Sequence, residues 1–221
     1  MTRSSDYFVT LGGRVRYAKD RKADIFVALH NNASFSRKMN GVSVYYPNIN
    51  YNTKVGKEGR NAASYIQKEL VSLGIKNNGI HYRNTESGSK YPNKSKSDYY
   101  SVIRQSKLSG FPGLIVEHAF VSNSSDCSKF FSSADKLKKL GEADAKGLAK
   151  YYGLVEKDTP VLKSAQADED GNVHLQWDAM DEMDGYRVYR RAQGVFSYTK
   201  IATIRDESET DYVDKTTKKG T

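Results

Sequence analysis

Apolar positions along this chain fall into two kinds of pattern, one at helical spacing and one in short, nearly unbroken runs. In residues 11–20, Leu11, Val15 and Ala18 recur at helical spacing with Arg14, Arg16 and Lys19 between them, which predicts an amphipathic helix. Ile25-Phe26-Val27-Ala28-Leu29 follows as an almost continuous apolar run, the pattern of a strand covered on both faces. A second strand is expected from Gly41 to Tyr46, stopped by Pro47. Residues 54–73 return to helical period through Ala62, Ile66, Leu70 and Leu73, with Gly74 where a C-terminal cap belongs. Residues 77–97 are rich in Asn, Ser, Lys and Gly and read as a long surface loop, a length that is often functional. Leu114-Ile115-Val116 then forms another all-apolar strand ending in Glu117, and residues 134–152 make a closing helix. In that helix Lys136-Leu137-Lys138-Lys139-Leu140 reads as a solvated face beside a buried stripe.

Strands and helices alternating in this way predict an α/β fold with a mostly parallel sheet flanked by helices. In such sheets reactive groups gather at the carboxyl ends of the strands. Beyond Pro160 the period changes to two. Val173-His174-Leu175-Gln176-Trp177, residues 186–191 and residues 200–204 alternate, separated by Asp-Gly and Gly-containing turns. The pattern is that of a partial all-β immunoglobulin-like sandwich, with fewer strands than the about seven of a closed one. Trp177 and Tyr186 are expected to pack its core. The chain is therefore divided into residues 1–155 and 156–221.

Charge supports the division. Up to Val155 there are 25 Lys and Arg against 12 Asp and Glu, a balance of +13, and beyond it 10 against 14, a balance of −4. A basic first unit suits nucleic acid, an anionic lipid face or an anionic wall polymer, and a generally solvated basic surface explains it equally well. No recognition helix, zinc finger or RNA-binding sheet motif accompanies it, so no nucleic-acid partner is expected. At 221 residues and 38% hydrophobic content, ordinary globular cores are expected. No apolar run is long enough for a membrane span. The first residues lack the apolar core of a secretory signal, which implies a cytoplasmic chain or one whose true beginning lies elsewhere. The single cysteine, Cys127, excludes an internal disulfide and a multi-cysteine zinc site, and with no His nearby to activate it an inert thiol is expected.

Two side chains stand at the carboxyl ends of apolar strands: His30 directly after Leu29, and Glu117 directly after Val116. A His there can present a ring nitrogen to a metal, and a Glu can act on a bound water. Taken singly, such a His is more often a hydrogen-bonded structural residue. The Glu is harder to dismiss, because burying a carboxylate without a partner is costly.

These residues also carry a family resemblance. Residues 23–33, with His30-Asn31-Asn32-Ala33, resemble a metal motif of the zinc-dependent N-acetylmuramoyl-L-alanine amidases, bacterial peptidoglycan hydrolases. Residues 113–123, with Glu117 and the downstream Ser122-Asn123, are similar to their closing motif, and Thr2-Arg3-Ser4-Ser5-Asp6 with the helix after it to their Thr-Arg turn. The resemblance implies that His30 is a zinc ligand and Glu117 the catalytic carboxylate, which takes a proton from the attacking water and returns it to the leaving amine. Arg104 and Asn32 are implied as substrate-binding residues. The implied substrate is peptidoglycan, cut at the amide between N-acetylmuramic acid and the L-alanine of the stem peptide, with anionic wall polymers as further partners. The implied location is extracellular, at the cell wall.

The family pattern opens with a Gly-His-Gly strand and a helical Glu that supply two more ligands, and this sequence begins after the place where they stand. Met1 is therefore expected to be an internal residue of a longer chain; if the molecule begins there, negligible activity and weak zinc binding are expected. His118 should point to the face opposite Glu117, His81 belongs to the polar loop, and His174 to the β unit. The Tyr- and Asn-rich residues 45–52 fit either a glycan or peptide groove or an ordinary loop. Residues 173–177, 185–190 and 212–214 are similar to fibronectin type III modules of secreted bacterial enzymes. The alternative to a hydrolase is a non-catalytic wall-binding or adhesive protein on a degenerate amidase scaffold.

Overall fold

The computed structural model describes residues 1–2, 7–154, 159–181, 183–193 and 198–217. Residues 3–6 of the Thr-Arg turn and the boundary after Val155 lie outside the described residues. The chain forms two compact units, Met1–Glu156 and Lys157–Thr221.

In the first unit the elements run α1 (Leu11–Asp20), β1 (Phe26–Asn32), β2 (Val42–Tyr45), α2 (Thr53–Ser72), β3 (Asn77–His81), α3 (Ser101–Leu108), β4 (Gly113–Phe120), a single turn α4 (Ser124–Asp126) continued by a π-helical stretch Cys127–Phe131, and α5 (Ala134–Tyr151). The helices begin where short polar side chains take up the free amide groups of the first turn: Thr10 Oγ1 accepts from Gly13 N at 3.0 Å, and Asn52 Oδ1 from Val55 N at 3.1 Å. The sheet order is β1-β4-β2-β3, with β1 parallel to β4, β3 parallel to β2, and β2 antiparallel to β4. This is the expected mostly parallel sheet with helices on both faces.

β4 runs through the centre of the sheet, and of its eight residues only Glu117 is not fully buried. Its side chains alternate between two cores. Leu114 and Val116 join Val42, Val44, Ala62, Ile66, Leu70 and Leu140 beneath α2 and α5. Ile115 joins Phe26, Val15, Ala18, Val102 and Ile103 beneath α1 and α3. The near-continuous apolar run in the sequence is the consequence of this double cover. α2 and α5 meet backbone to backbone at Gly147, where a Cβ would lie 2.6 Å from Ile66 Cα.

The stretch read as a surface loop, residues 77–97, is more ordered than its composition implies. It opens with β3 and is then folded back on itself by bridges Asn84–Asp98 and Lys90–Lys96. Its root is buried. Lys107 is 1% exposed, and its Nζ donates to Asn48 O and Asn48 Oδ1, both at 2.6 Å, and sits 3.5 Å from Asp98 Oδ2. Asp98 in turn accepts from Tyr91 Oη at 2.5 Å and from Asn48 N at 2.8 Å. Burial pushes the Lys107 ammonium below its ordinary range, and Asp98 pulls it back. α3, to which the sequence reading gave no element, carries Lys107 into this position.

The second unit holds two antiparallel sheets, β5 (Leu162–Ala167), β6 (Val173–Trp177) and β9 (Asp211–Asp214) in the order β5-β6-β9, and β7 (Tyr186–Arg190) paired with β8 (Thr199–Ile204). Trp177 and Tyr186 pack edge to face at 5.2 Å within a cluster with Val188 and Ile204, as the alternation predicted. β5 escaped the sequence reading because its residues are mostly exposed and lack a clean alternation.

The buried pair makes a stability prediction. Asp98→Ala leaves an uncompensated ammonium in the core and should cost about 3–5 kcal/mol in urea unfolding of the first unit. Adding Lys107→Met should recover a large part of that loss. A cost below about 1 kcal/mol for Asp98→Ala would show that the pair does not hold the loop root.

Candidate active site

The site rests on two strands in register. β1 and β4 run parallel with Phe26 beside Gly113, Ala28 beside Ile115 and His30 beside Glu117. Paired residues of neighbouring strands point to one face, about 4.8 Å apart strand to strand. Phe26, Ala28 and Ile115 all pack against the α1/α3 core. His30 and Glu117, two residues further along their strands, therefore project from that same face at the carboxyl ends. His30 is exposed and Glu117 half-buried.

His118, the next residue, points the other way, as expected from strand geometry. Its Nε2 lies 2.7 Å from Asp144 Oδ2 on α5 and its Nδ1 3.0 Å from the backbone oxygen of His30. A buried imidazole thus ties the end of β1 to the helix behind it. Asp126 does similar work nearby: its Oδ2 accepts from Phe120 N at 2.9 Å and from Gly41 N at 3.0 Å, joining the end of β4 to the start of β2. The Ser-Asn pair after β4 locks the loop that follows His30, since Ser34 N donates to Ser122 Oγ at 3.0 Å and Asn123 Nδ2 to Arg37 O at 2.8 Å.

Asn32 lies past a register shift at the end of β1; its Oδ1 accepts from Ala33 N at 2.8 Å and its backbone oxygen from Val121 N at 2.8 Å. Arg104 stands on α3, where its Nη1 donates to Asp98 O at 2.8 Å and Tyr99 O at 3.1 Å. His81, read as a loop residue, ends β3 beside Tyr45, with its Nε2 2.8 Å from Asn78 O. Cys127 starts the π-helical stretch, with its Sγ 3.1 Å from Val121 O.

The sequence reading offered Tyr45 as either a groove or an ordinary loop residue but missed the aromatic cluster it joins on the site face. Tyr45 pairs with Ile115, two residues along β4 from Glu117. Its ring packs on Tyr100 at 5.0 Å and on His81 at 5.7 Å. Burial, then Tyr100, pushes the Tyr45 hydroxyl up to about 12; Glu117 adds to the rise and Arg83 opposes it. Tyr45 therefore lies within electrostatic reach of both charged groups. No period marks these residues, because they come from three separate segments.

A family model described as N-acetylmuramoyl-L-alanine amidase matches residues 1–150. The chain belongs to that family. The amidase LytC of Bacillus subtilis is 31% identical over 153 residues, which are 69% of this chain and 26% of LytC. An endolysin of Bacillus phage SPP1 is 26% identical over 218 residues, 98% of this chain and 71% of the endolysin, so that match runs through both units. Among solved structures, Cwp6 from Clostridium difficile superposes with a TM-score of 0.57 at 32% identity, covering 68% of this chain and 21% of Cwp6. The catalytic domain of CwlV, from Bacillus (Paenibacillus) polymyxa var. colistinus, gives 0.53 at 26% identity, covering 70% and 72% of the two chains. The chain thus spans about a quarter of the length of LytC.

The zinc that the resemblance implies can be tested against the donors of this amidase-family chain. Glu117 Oε2 is buried without a hydrogen-bond partner among the described residues, an open acceptor beside the exposed His30. Against this, no group of three or more His, Cys, Asp or Glu that could hold a metal occurs among the described residues. His118 is committed to Asp144 and the His30 oxygen, and His174 to Asp168 at 2.9 Å. Catalytic zinc takes three protein ligands, so the described residues do not by themselves complete such a site.

Burial pushes the Glu117 carboxyl above its ordinary range, with His30 and then His118 pulling it back. The fold thus disfavours the ionised form; this penalty is absent below the unfolded value of 4.5, builds as pH rises from there to the higher folded value, and stays constant above it. Glu117→Gln should accordingly melt above the wild-type chain at pH 7–8, the gap closing as pH falls toward 4.5. A variant less stable than wild type at neutral pH would mark Glu117 as a structural carboxylate instead.

Proposed function

We propose that this chain is the peptidoglycan-cleaving part of an N-acetylmuramoyl-L-alanine amidase, hydrolysing the amide between N-acetylmuramic acid and the L-alanine of the stem peptide. The observation that carries the reading is the register pairing of His30 with Glu117 on one face at the carboxyl ends of two neighbouring parallel strands. A carboxyl raised above its ordinary range and lacking a partner is suited to take a proton from the attacking water and return it to the departing amine. In this reading His30 would supply one ligand of the set that holds a zinc, a set that the described residues do not complete by themselves. Asn32 and Arg104 shape the cleft, Arg104 through the carbonyls of Asp98 and Tyr99 that it holds.

The basic balance of the first unit suits a wall rich in anionic polymers. A wall location agrees with the relatives' names, among them a probable cell wall amidase LytH of Staphylococcus epidermidis, 29% identical over 154 residues. No helix among the described residues is long and apolar enough to cross a membrane. The second unit, with two antiparallel sheets around Trp177 and Tyr186, is read as a fibronectin type III-like module.

The incomplete donor set favours one other reading, a wall-binding protein that keeps the amidase scaffold without its chemistry. Bound zinc and newly exposed alanine amino groups on purified wall separate the two, measured for these 221 residues and for a form carrying any residues encoded upstream. The hydrolase reading expects zinc and activity in the longer form. There His30→Ala should lose zinc, whereas Glu117→Gln should keep it and slow hydrolysis by about 10²–10⁴-fold. Wall binding without zinc or cleavage in both forms would establish the binder.

A further inference from the structure

The aromatic cluster beside Glu117 leads to a cation. From Tyr45 the rings continue through Tyr100 to Tyr99, the latter two perpendicular at 5.2 Å, and the Arg83 guanidinium lies 3.8 Å above the centroid of Tyr99. Tyr99 is 43% exposed and Arg83 is exposed as well, so this end of the cluster faces solvent.

We propose that Arg83 is a specificity-determining residue of the amidase reaction, receiving a free carboxylate on the stem-peptide residue that follows the L-alanine. The inference rests on the amidase reading and names the part of the substrate that this side of the site selects.

Three observations support it. The first is position. Tyr45 shares the face of His30 and Glu117, and Arg83 stands on the far side of the same cluster, beyond Tyr100 and Tyr99. A peptide leaving the scissile amide advances about 3.3–3.6 Å per residue, so this side of the cluster is reached by residues beyond the L-alanine, the second being the first with a substituent free to turn toward it.

The second is rigidity. Arg83 does not ride on a loose loop: Tyr99 N donates to Arg83 O at 2.8 Å, Asn84 bridges Asp98, and Arg104 clamps the carbonyls of Asp98 and Tyr99. Behind them stands the buried Lys107–Asp98–Tyr91 network. A cation held in place before binding loses less freedom when its ligand arrives.

The third is availability. Arg83 Nη2 pairs with Glu86 Oε1 at 2.7 Å, but the two side chains are 42% and 73% exposed. Exposed pairs of this kind are held weakly and exchange readily. A guanidinium held over a ring 3.8 Å from its centroid still has five N–H donors, enough to take a carboxylate in bidentate fashion. Glu86 thus stands in for the ligand.

The test uses the full chain and two soluble muramyl tripeptides, identical except that the second residue carries a carboxylate in one and a carboxamide in the other. Binding is measured by titration calorimetry, so the result does not depend on turnover. The wild-type chain should bind the acid about tenfold more tightly than the amide. Arg83→Gln should bring the acid down to the level of the amide and leave the amide unchanged, with melting temperature preserved. Arg83→Lys should keep part of the preference, and Glu86→Gln should enlarge it. Equal binding of both peptides by the wild-type chain, or an equal loss for both in Arg83→Gln, would overturn the subsite while leaving the amidase reading intact. Failure of the wild-type chain to bind either peptide would also overturn the subsite, while the amidase reading stands or falls on the zinc and wall-cleavage measurements above.

Discussion

The arrangement depends above all on the register between β1 and β4. Side chains alternate along a strand, so a slip of one residue would turn His30 into the α2/α5 core while Glu117 stayed where it is. Two features hold the register. Phe26, Ala28 and Ile115 are packed on one face and Leu114 and Val116 on the other, so a slip would bury the wrong set on β1. At the strand ends, His118 reaches across to the His30 oxygen and Asp126 takes the Phe120 amide.

The same period explains why two adjacent titratable residues have opposite fates. His118 finds Asp144 and a carbonyl and is spent on structure. Glu117 finds no partner for Oε2. Asp98, Asp126, Asp144 and Asp214 are also buried, and each has at least one hydrogen-bond or ion-pair partner. Asp144 Oδ1 is likewise buried without a partner, but its Oδ2 holds His118, whereas no such anchoring bond accompanies the open Oε2 of Glu117 among the described residues, and leaving a buried carboxylate oxygen unpaired is costly. A cost of that kind persists at positions where reactivity is the purpose, which is why perturbed carboxyls concentrate at functional sites.

Much of this was legible in the sequence, and the reason is local. Glu117 interrupts the apolar run of β4, an inner strand covered on both faces, whereas His30 ends the run of β1, which the structure corrects to an edge strand with only Phe26 fully buried. The long helices announce themselves by period. What stayed hidden is carried by polar groups and by separated segments. Lys107 reads as one more surface lysine in a basic chain, yet it is the buried anchor of residues 77–97, because its three acceptors come from Asn48 and Asp98. β3 has five residues at a sheet edge, rich in Asn and Gly, and offers no apolar signal. Tyr45, Arg83 and Tyr99 lie on different segments and meet only through the fold.

β2 connects the part of the site that carries the reactive carboxylate with the part that carries the aromatic cluster. On one side it pairs with β4, setting Ser43 beside Glu117; on the other it pairs with β3, setting Tyr45 beside His81, from which the chain continues to Arg83. Its starting point is fixed at Gly41, whose backbone φ of +98° suits glycine and whose Cβ position would fall 2.4 Å from Lys76 O, just before β3. The Gly41 amide is held by Asp126, the carboxylate that also ends β4. One buried acid therefore ties the start of β2 to the end of β4, so the distance from the reactive carboxylate to Tyr45, the ring that anchors the aromatic cluster, is a property of the sheet.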